Sequence, residues 1–349
     1  MSRTDIPKGT GMYAYVLPNC EGGDMGAMVE KAVKHGISWI APRVVGWCSP
    51  DPRNTPYLLD ELGAACRANG VRYGGWGYHV GLNADLVSIA KQEALMAAEV
   101  IDKYGLDFYV LNAEKEYKIG GVPWAGWKVR PNSALRAAMT DFWFELRLYH
   151  PDLCMGMTSY RFPKWHPEFV WEQALDPKYC DFNQPQVYAV GDPRPEGPIL
   201  QLMECDNQFS KITDLPMVPL FATYKEGGWS QTYEQTLQFI DEGLPLIGAQ
   251  GSGGYAWEFT TQDQWKAIAE LSTGPPLPPD PEPDPGPEPI KCVRVTSFWL
   301  TLRKEASAKS AVQGFLIKGA TVEVLKTVEP WGLIASGLWI HLNYTAEVK

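Results

Sequence analysis

The chain places polar and charged residues directly after an apolar, strand-like segment, in the sequence LDFYVLNAEKEY at residues 106–117. Asn112 and Glu114 follow Val110 at intervals of two. Because side chains on a strand alternate between two faces, both are expected to point the same way as Val110. A carboxyl group and an amide on the inner face of a sheet could act in acid–base chemistry. The alternative is a strand that runs out into solvent.

Strand-like and helix-like segments alternate along most of the chain. Several helices are expected to end at a glycine, such as Gly36, Gly70 and Gly105, and the helix before Gly105 is expected to begin near Asn83. About eight β/α units in about 270 residues is the usual size of a (β/α)₈ barrel. A doubly wound sheet would need a G-x-G-x-x-G loop, and GGDMG at residues 22–26 lacks that spacing. The sequence therefore predicts an α/β fold, a TIM barrel.

In a TIM barrel the active site forms where the carboxyl ends of the strands meet. Predicted strands 3 to 8, numbered along the chain, all end in polar or aromatic residues, which indicates a cleft. The candidates for catalysis are Glu114, Asn112 and Glu116. The candidates for substrate binding are Tyr78, His79, Tyr160, Arg161, Gln184, Gln186, Tyr188, Tyr224, Trp257 and Glu258.

Carboxyl groups among aromatic rings and amides suit a carbohydrate, because rings stack on sugar faces while amides and phenols bond to hydroxyl groups. Hydrolysis of a glycosidic bond needs a carboxylic acid near the leaving oxygen. It also needs a base, a nucleophile or a substrate group that stabilises the transition state. Glu114 is the best candidate for the acid, because apolar surroundings favour its protonated form. The alternative for Glu114 is a salt bridge to Lys115, Lys225 or Arg161.

Three candidates also have a plain structural explanation. His79 is the only histidine at a predicted strand end on this rim, and a lone histidine is more often a hydrogen-bonded structural residue than a ligand. Tyr188 could orient a reacting group or pack at the rim. Trp257 could form the floor of a sugar site or fill the barrel. No cluster suitable for a metal accompanies His79, and we predict neither a metal nor a cofactor.

Composition and charge argue against several classes of protein. The net charge of −10 disfavours nucleic-acid binding, which needs a basic surface. The sequence has no apolar run long enough for a membrane span and begins without a secretory signal. The seven cysteines are scattered and form no C-x-x-C pair, so neither a zinc site nor a disulfide framework is indicated. We expect a monomer made in a reducing cytoplasm.

A proline-rich acidic segment, GPPLPPDPEPDPGPEP at residues 274–289, should form a stiff extended spacer. It predicts a (β/α)₈ domain over residues 1–273, a linker over 274–290 and a tail domain over 291–349. Short alternating apolar and polar runs predict that the tail is a small all-β module. Basic residues outnumber acidic ones in the tail, which suits docking to a polyanionic surface or is ordinary surface charge.

The tail resembles bacterial SH3 (SH3b) domains. Its segments LTLRKEASAKSAVQGFLIKGATVEVL and LWIHLNY are similar to the pattern of those domains over nearly the whole tail. Such domains commonly bind cell walls and are often joined to lysins by linkers of this kind. The resemblance implies a small SH3-like barrel that holds the protein on a bacterial wall.

The barrel resembles TIM-barrel glycoside hydrolases of bacteria and phages, including phage endolysins. Their strand-4 motif, approximately YVDAExEY, appears here as YVLNAEKEY, and TSYRFPKWHPEF and PQVY are similar to their signatures on strands 5 and 6. More distantly, the motif resembles the lysozyme-type family 25 and chitinase-type family 18 glycoside hydrolases. The resemblance implies that Glu114 is the acid. Asn112 stands where the D-x-E pattern has Asp, so Glu116 or Glu258 could supply the second carboxylate instead.

These features predict a cell-wall lysin: a glycosidase that cuts an N-acetylated glycan, peptidoglycan in the manner of a muramidase, with Glu114 as general acid. It would reach the wall after release by lysis or as part of a virion. One alternative is a non-catalytic protein that binds cell-wall glycan, in which Asn112 marks the loss of an acidic residue. Another is an amidase or peptidase acting on wall peptide, and the lack of a histidine cluster argues against its metal-dependent form.

Overall fold

The fold is given by a computed structural model. It describes residues 2–118, 120, 128–271, 290–297, 299–334 and 336–348. The chain divides into two compact units, Met1–Leu277 and Pro278–Lys349. The proline-rich segment at 274–289 lies outside the described residues, so the domain boundaries drawn from it stay a prediction.

Eight parallel strands close into a barrel in the first unit. They are β1 (Gly9–Ala14), β2 (Trp39–Gly46), β3 (Arg72–His79), β4 (Phe108–Ala113), β5 (Cys154–Tyr160), β6 (Phe182–Gln186), β7 (Leu220–Ala222) and β8 (Gly251–Tyr255). Each strand pairs with the next along the chain, and β1 pairs with both β2 and β8, which closes the sheet. This arrangement confirms the predicted (β/α)₈ barrel.

Helices alternate with the strands and pack around the barrel. They are α1 (Met25–Lys34), α2 (Pro56–Ala68), α3 (Ala90–Tyr104), α4 (Asn132–Tyr149), α5 (Trp171–Ala174), α6 (Gly197–Phe209), α7 (Tyr233–Leu237), α8 (Leu244–Leu246) and α9 (Gln262–Leu271), with a π-helical stretch at Gln238–Gly243 between α7 and α8. Gly105 directly follows α3 in the left-handed conformation, as predicted for a helix end. No helix in the described part of the chain is both long and apolar enough to cross a membrane.

The start of α3 differs from the prediction. The helix begins at Ala90 rather than near Asn83. The Asn83 side chain accepts hydrogen bonds from the backbone N–H groups of Asp85 and Val87, at 2.9 and 3.0 Å. Asparagine competes with helix formation through such local bonds. The intervening residues therefore form a loop at the carboxyl end of β3.

Large aromatic rings fill the amino-terminal half of the barrel interior. Trp39, Phe108 and Phe182 are fully buried. Glycines on neighbouring strands make room for two of them, since a Cβ on Gly74 would lie 2.2 Å from the Phe108 ring and one on Gly156 would lie 2.2 Å from the Phe182 ring. Because this layer is closely packed, the open space inside the barrel lies toward the carboxyl ends of the strands.

The second unit is an all-β module, as predicted. Its described strands are β9 (Lys291–Val295), β10 (Trp299–Arg303), β11 (Val312–Ile317), β12 (Thr321–Val328), β13 (Trp331–Ile334), β14 (Trp339–His341) and β15 (Thr345–Val348). They pair antiparallel in the order β11-β10-β14-β13-β12-β9-β15. Val293, Leu302, Val324 and Ile340 are among its buried residues. The likeness of this module to SH3b domains stays a prediction.

A buried ion pair ties the end of α4 to the start of β6. Arg147 donates through Nη2 to Asp181, through Nε to the carbonyl of Tyr179 at 2.9 Å, and through Nη1 to that of Leu153 at 2.6 Å. The side chains of Arg147 and Asp181 are 7% and 5% exposed. A pair so placed is costly to break, because the remaining partner stays buried.

We expect Arg147→Met to lower the free energy of unfolding by about 1 to 3 kcal/mol, because the buried carbonyls of Tyr179 and Leu153 lose their donor. Asp181 loses its buried partner but keeps hydrogen bonds from Arg3 Nε and the backbone N–H of Met155. Arg136→Met is the matched control on the same helix. It removes an exposed arginine paired with an exposed Glu172 and should change stability little. Denaturant unfolding followed by circular dichroism measures both. Equal losses of unfolding free energy in the two variants would contradict the conclusion that the buried Arg147–Asp181 pair is the more stabilising one.

Candidate active site

A pocket opens at the carboxyl ends of the barrel strands. Its empty volume is about 380 Å³. The lining residues are Tyr13, Trp76, Asn112, Glu114, Thr158, Gln186, Tyr188, Leu220 and Tyr255. All barrel strands except β2 contribute to this lining, either directly or through the residues that follow them. The position is the one that active sites occupy in TIM-barrel enzymes.

Alternation along β4 points Asn112 into the pocket, and Glu114, the residue directly after the strand ends at Ala113, lines the pocket beside it. Phe108 and Val110 belong to the buried cluster inside the barrel. Asn112 and Glu114 continue that face and line the pocket. Tyr109, on the opposite face, packs in the outer core with the helices. The inward direction predicted from the sequence is therefore observed.

Two amides hold the Glu114 carboxyl group. Gln186 Nε2 donates to Glu114 Oε1 at 3.2 Å, and Asn112 Nδ2 approaches the same oxygen at 3.4 Å. Within the described part of the chain, the second oxygen, Oε2, has no protein hydrogen-bond partner, and Glu114 is partly exposed. A carboxyl group with one anchored and one open oxygen can exchange a proton with a bound ligand.

Three buried polar side chains form a row across β4, β5 and β6. Asn112, Thr158 and Gln184 are register partners, and none is more than 7% exposed. Tyr13 donates to Gln184 Oε1. Among the described residues, Asn112 Oδ1, Thr158 Oγ1 and Gln184 Nε2 have no hydrogen-bond partner. Because buried polar atoms normally have partners, the unpaired atoms of Asn112 and Thr158 can bind polar groups of a ligand. Both residues line the pocket, whereas Gln184 does not.

Tyr188 and Tyr255 line one side of the pocket, and Tyr224, which is not part of the lining, packs against both. The ring of Tyr188 lies 5.4 Å from that of Tyr224 and 6.0 Å from that of Tyr255, measured between centroids. Burial raises the pKa of all three phenols, that of Tyr224 to about 12. They therefore stay neutral near pH 7 and can donate hydrogen bonds. Tyr188 packs against the other two tyrosines and also lines the pocket, so the proposed orienting role stays a prediction.

Glu116 and Glu258, the two candidates for a second carboxylate, do not line the pocket. Glu116 is fully buried and accepts a hydrogen bond from Tyr78 Oη at 2.5 Å, and burial raises its pKa. Glu258 Oε1 accepts from the backbone N–H of Val16 at 2.8 Å. Among the described residues that line the pocket, Glu114 is the only one with a carboxyl group.

His79 and Trp257 also lie outside the pocket lining. His79 is fully buried, with Nε2 2.8 Å from Tyr109 Oη and its ring centroid 4.6 Å from that of Phe142. Desolvation lowers its pKa to about 3, so it is neutral. Trp257 is 2% exposed and donates through Nε1 to Glu21 at 3.2 Å. Both positions fit the structural alternatives given for these residues.

Tyr160 and Arg161, at the end of β5, do not line the pocket either. Tyr160 packs on His166, with ring centroids 3.8 Å apart. The Arg161 guanidinium lies over the rings of Phe162 and Trp165, at 5.2 and 5.8 Å. In the described part of the chain, no group of three His, Cys, Asp or Glu side chains is arranged to hold a metal ion.

The candidates chosen from the sequence leave out Tyr13, Trp76, Thr158, Leu220 and Tyr255, which line the pocket. The period of two could have found two of them, since Trp76 is two residues before Tyr78 on β3 and Thr158 is two residues before Tyr160 on β5. The period of two also places the neighbours Tyr78 and His79 on opposite faces of β3. Trp76 points inward, so Tyr78 shares its face and His79 must point outward.

A buried carboxyl group supports the loop that follows β3. Glu93, on α3, is fully buried and accepts hydrogen bonds from the backbone N–H groups of Val80 and Gly81 at 2.8 and 2.9 Å. Its Oε1 lies 3.8 Å from Nδ1 of the neutral His79. Burial raises the pKa of Glu93 to about 8, although the two N–H groups and the charge of Arg130 oppose the rise.

A raised pKa gives Glu93 a defined effect on stability. Its contribution is fully present below the unfolded value, about 4.3 for glutamate, and is lost as the pH rises through about 8. Glu93→Gln should therefore gain thermal stability relative to wild type as the pH increases across this window. Melting temperatures at pH 4, 6 and 8 measure the trend, with the exposed Glu30→Gln on α1 as control. A melting-temperature difference between Glu93→Gln and wild type that is the same at all three pH values would contradict a raised pKa for Glu93.

No protein-family model matches the chain, and no curated protein matches its sequence. Solved structures do match its fold. A chitinase from Chromobacterium violaceum ATCC 12472 gives a TM-score of 0.55 at 10% identity, covering 77% of this chain and 100% of that chain. The spore cortex-lytic enzyme SleL from Bacillus cereus gives 0.51 at 12% identity, covering 76% of this chain and 75% of that chain.

A third match is an endo-1,4-beta-D-mannanase from Thermotoga petrophila RKU-1. Its TM-score is 0.53 at 12% identity, and the match covers 76% of this chain and 99% of that chain. At such low identities the likeness shows the fold, a (β/α)₈ barrel, and a shared fold does not by itself give a shared function.

Proposed function

We propose that the chain is a cell-wall glycosidase that hydrolyses an N-acetylated glycan, peptidoglycan, with Glu114 as general acid. One observation carries the proposal. Glu114 lies at the carboxyl end of β4 in a pocket of aromatic rings and amides, with one oxygen anchored by Gln186 and the other open. The fold supports it as well, since the structural neighbours include a chitinase and a spore cortex-lytic enzyme.

The pocket suggests how the second chemical role is filled. A protein nucleophile would have to lie about 5 Å from the acid, and Glu114 is the only carboxyl group among the described lining residues. The carbonyl oxygen of the substrate's own N-acetyl group can instead attack the anomeric carbon while Glu114 protonates the leaving oxygen. Glu114, now ionised, then takes a proton from the water that opens the intermediate.

The row of unpaired polar atoms is suited to hold that N-acetyl group. Asn112 Oδ1 can accept a hydrogen bond from the amide N–H, and the Thr158 hydroxyl can donate one to the carbonyl. Asn112 is neutral, so it positions the group without adding negative charge next to the developing oxocarbenium ion. We therefore expect turnover slower than an aspartate at this position would give.

The tail completes the proposal. We propose that the all-β unit, β9 to β15, holds the protein on the bacterial wall, as its resemblance to SH3b domains implies. The protein would act there after release by lysis or as part of a virion. The barrel would then meet its glycan at a high local concentration, which raises the effective affinity of a weak catalytic pocket.

A non-catalytic protein that binds cell-wall glycan is the second candidate. Asn112 favours it, because an amide replaces the acidic residue of the resembled motif beside Glu114. The aromatic rings and unpaired amides of the pocket serve binding as well as catalysis.

Digestion of purified peptidoglycan, followed by mass spectrometry, tests the proposal. Wild type should release fragments with new reducing ends at muramic acid. Glu114→Gln should slow release about 100- to 10,000-fold, because the general acid is lost. Asn112→Asp should speed it, because a negative charge beside Glu114 favours the protonated acid and stabilises the positive transition state. Glu226→Gln, an exposed glutamate outside the pocket lining, is the matched control and should not change the rate.

Two results would decide against this proposal. If neither wild type nor Asn112→Asp yields products while both still bind the wall, the glycan-binding protein is the better account. If Glu114→Gln retains the wild-type rate, another group is the acid.

A further inference from the structure

Arg43 brings a positive charge to the inner face of the barrel beside the pocket. On β2, Trp39 and Ala41 belong to the interior cluster, and Arg43 continues this face by alternation. The pairing of β2 with β3 shifts register directly afterwards, between Arg43 and Val45. Bulges of this kind often re-aim a side chain next to a functional site.

The Arg43 guanidinium lies against the wall of the pocket. Its Cζ is 5.3 Å from the ring centroid of Trp76, which lines the pocket, and 5.7 Å from that of Tyr78. Its Nε lies 2.8 Å from Asp51 Oδ2. The two Nη groups have no acceptor among the residues that the structure describes, although the side chain is only 11% exposed. Neither Nη atom is among the fully enclosed polar atoms that lack a partner, so a ligand can reach both.

A second arginine shares the same acidic partner. Arg53 donates through Nε and Nη2 to the buried Asp51, at 2.9 and 2.8 Å, and through Nη1 to Tyr15 Oη. The ring of Tyr15 stacks on that of Trp76, with centroids 6.2 Å apart. Two guanidinium groups and one carboxylate leave a net charge of +1 at this side of the pocket.

We infer that Arg43, with Arg53 beside it, forms a specificity-determining subsite for a carboxylate carried by the glycan. The inference rests on the proposed function. A carboxylate can accept two charge-assisted hydrogen bonds from the Nη groups, whereas a neutral N-acetylated sugar offers only hydroxyl and amide oxygens. The carboxylate can be the lactyl group of a muramic acid that carries no stem peptide, or the C6 carboxylate of a uronic acid. Peptidoglycan supplies the first wherever its stem peptides have been removed.

Binding of short glycans to the full-length chain with Glu114→Gln tests the subsite, because this variant does not consume the ligand. The probes for calorimetry are a neutral N-acetylglucosamine tetramer, a tetrasaccharide alternating N-acetylglucosamine with N-acetylmuramic acid, and a tetrasaccharide containing glucuronic acid. Adding Arg43→Gln should weaken binding of the muramic-acid probe about 10- to 100-fold and leave the neutral probe unchanged. Unchanged binding of the neutral probe shows that the variant is folded.

Arg194 offers a matched control. The sequence Asp-Pro-Arg occurs at 51–53 and again at 192–194. Arg194 pairs with Asp192 in the same way, through Nε and Nη2 at 2.9 and 2.6 Å. In the described part of the chain, its guanidinium lies over none of the rings that line the pocket. Arg194→Gln should change the affinity for none of the three probes.

Equal affinities for the neutral and muramic-acid probes, or an equal loss for both with Arg43→Gln, would overturn the subsite. A preference for the glucuronic-acid probe alone would keep the carboxylate subsite and overturn the choice of peptidoglycan. If none of the probes binds, both the carboxylate subsite and the proposed glycan ligand are rejected. If the muramic-acid probe binds as expected and the wild type does not cleave it, the subsite stands and only the glycosidase is rejected.

Discussion

The aromatic layer in the lower barrel is the constraint on which the site depends. Trp39, Phe108 and Phe182 fill the interior at the amino-terminal ends of β2, β4 and β6. Because side chains alternate strictly along a strand, the residue four positions later on each strand points into the same interior, one layer of the barrel higher. Those residues are Arg43, Asn112 and Gln186. The strand alternation that packs these rings at the amino-terminal end of the barrel therefore also places a cation and two amides at the carboxyl-terminal end.

Burial divides the carboxyl groups near the mouth into different roles. Glu114 lies at the strand end with one open oxygen, whereas Glu116 is enclosed with the Tyr78 phenol, and Glu93 and Glu258 bind backbone N–H groups of nearby loops. A carboxylate satisfied by backbone donors stabilises a loop and has little capacity left for a ligand. Of these four carboxyl groups, Glu114 is therefore the one with an oxygen open to a ligand, and the other three stabilise the structure around it.

The sequence predicts the barrel and the direction of Asn112 because both follow from repeating patterns, the β/α alternation and the period of two. The period of two does not show that Glu114 lines the pocket while Glu116 is buried away from it. The reason is that β4 ends at Ala113 and a 3₁₀ turn at Lys115–Tyr117 replaces the alternation. Nor does the sequence reveal that Asn83 forms a local turn instead of starting a helix, since both uses suit asparagine. Arg43, by contrast, was predictable, because it follows Trp39 at an even interval on an apolar strand.

Asn112 and Arg43 are best understood together. Tyr78 is the register partner of Asn112, and the Arg43 guanidinium lies 5.7 Å from its ring. An aspartate at 112 would add a second negative charge to this inner layer and attract the arginine, competing with any anionic ligand. The neutral amide leaves Asp51 as the acidic partner that Arg43 shares with Arg53. If Glu114 is the general acid as proposed, Asn112 slows that chemistry and at the same time leaves the positive charge of Arg43 available to a carboxylate-bearing sugar.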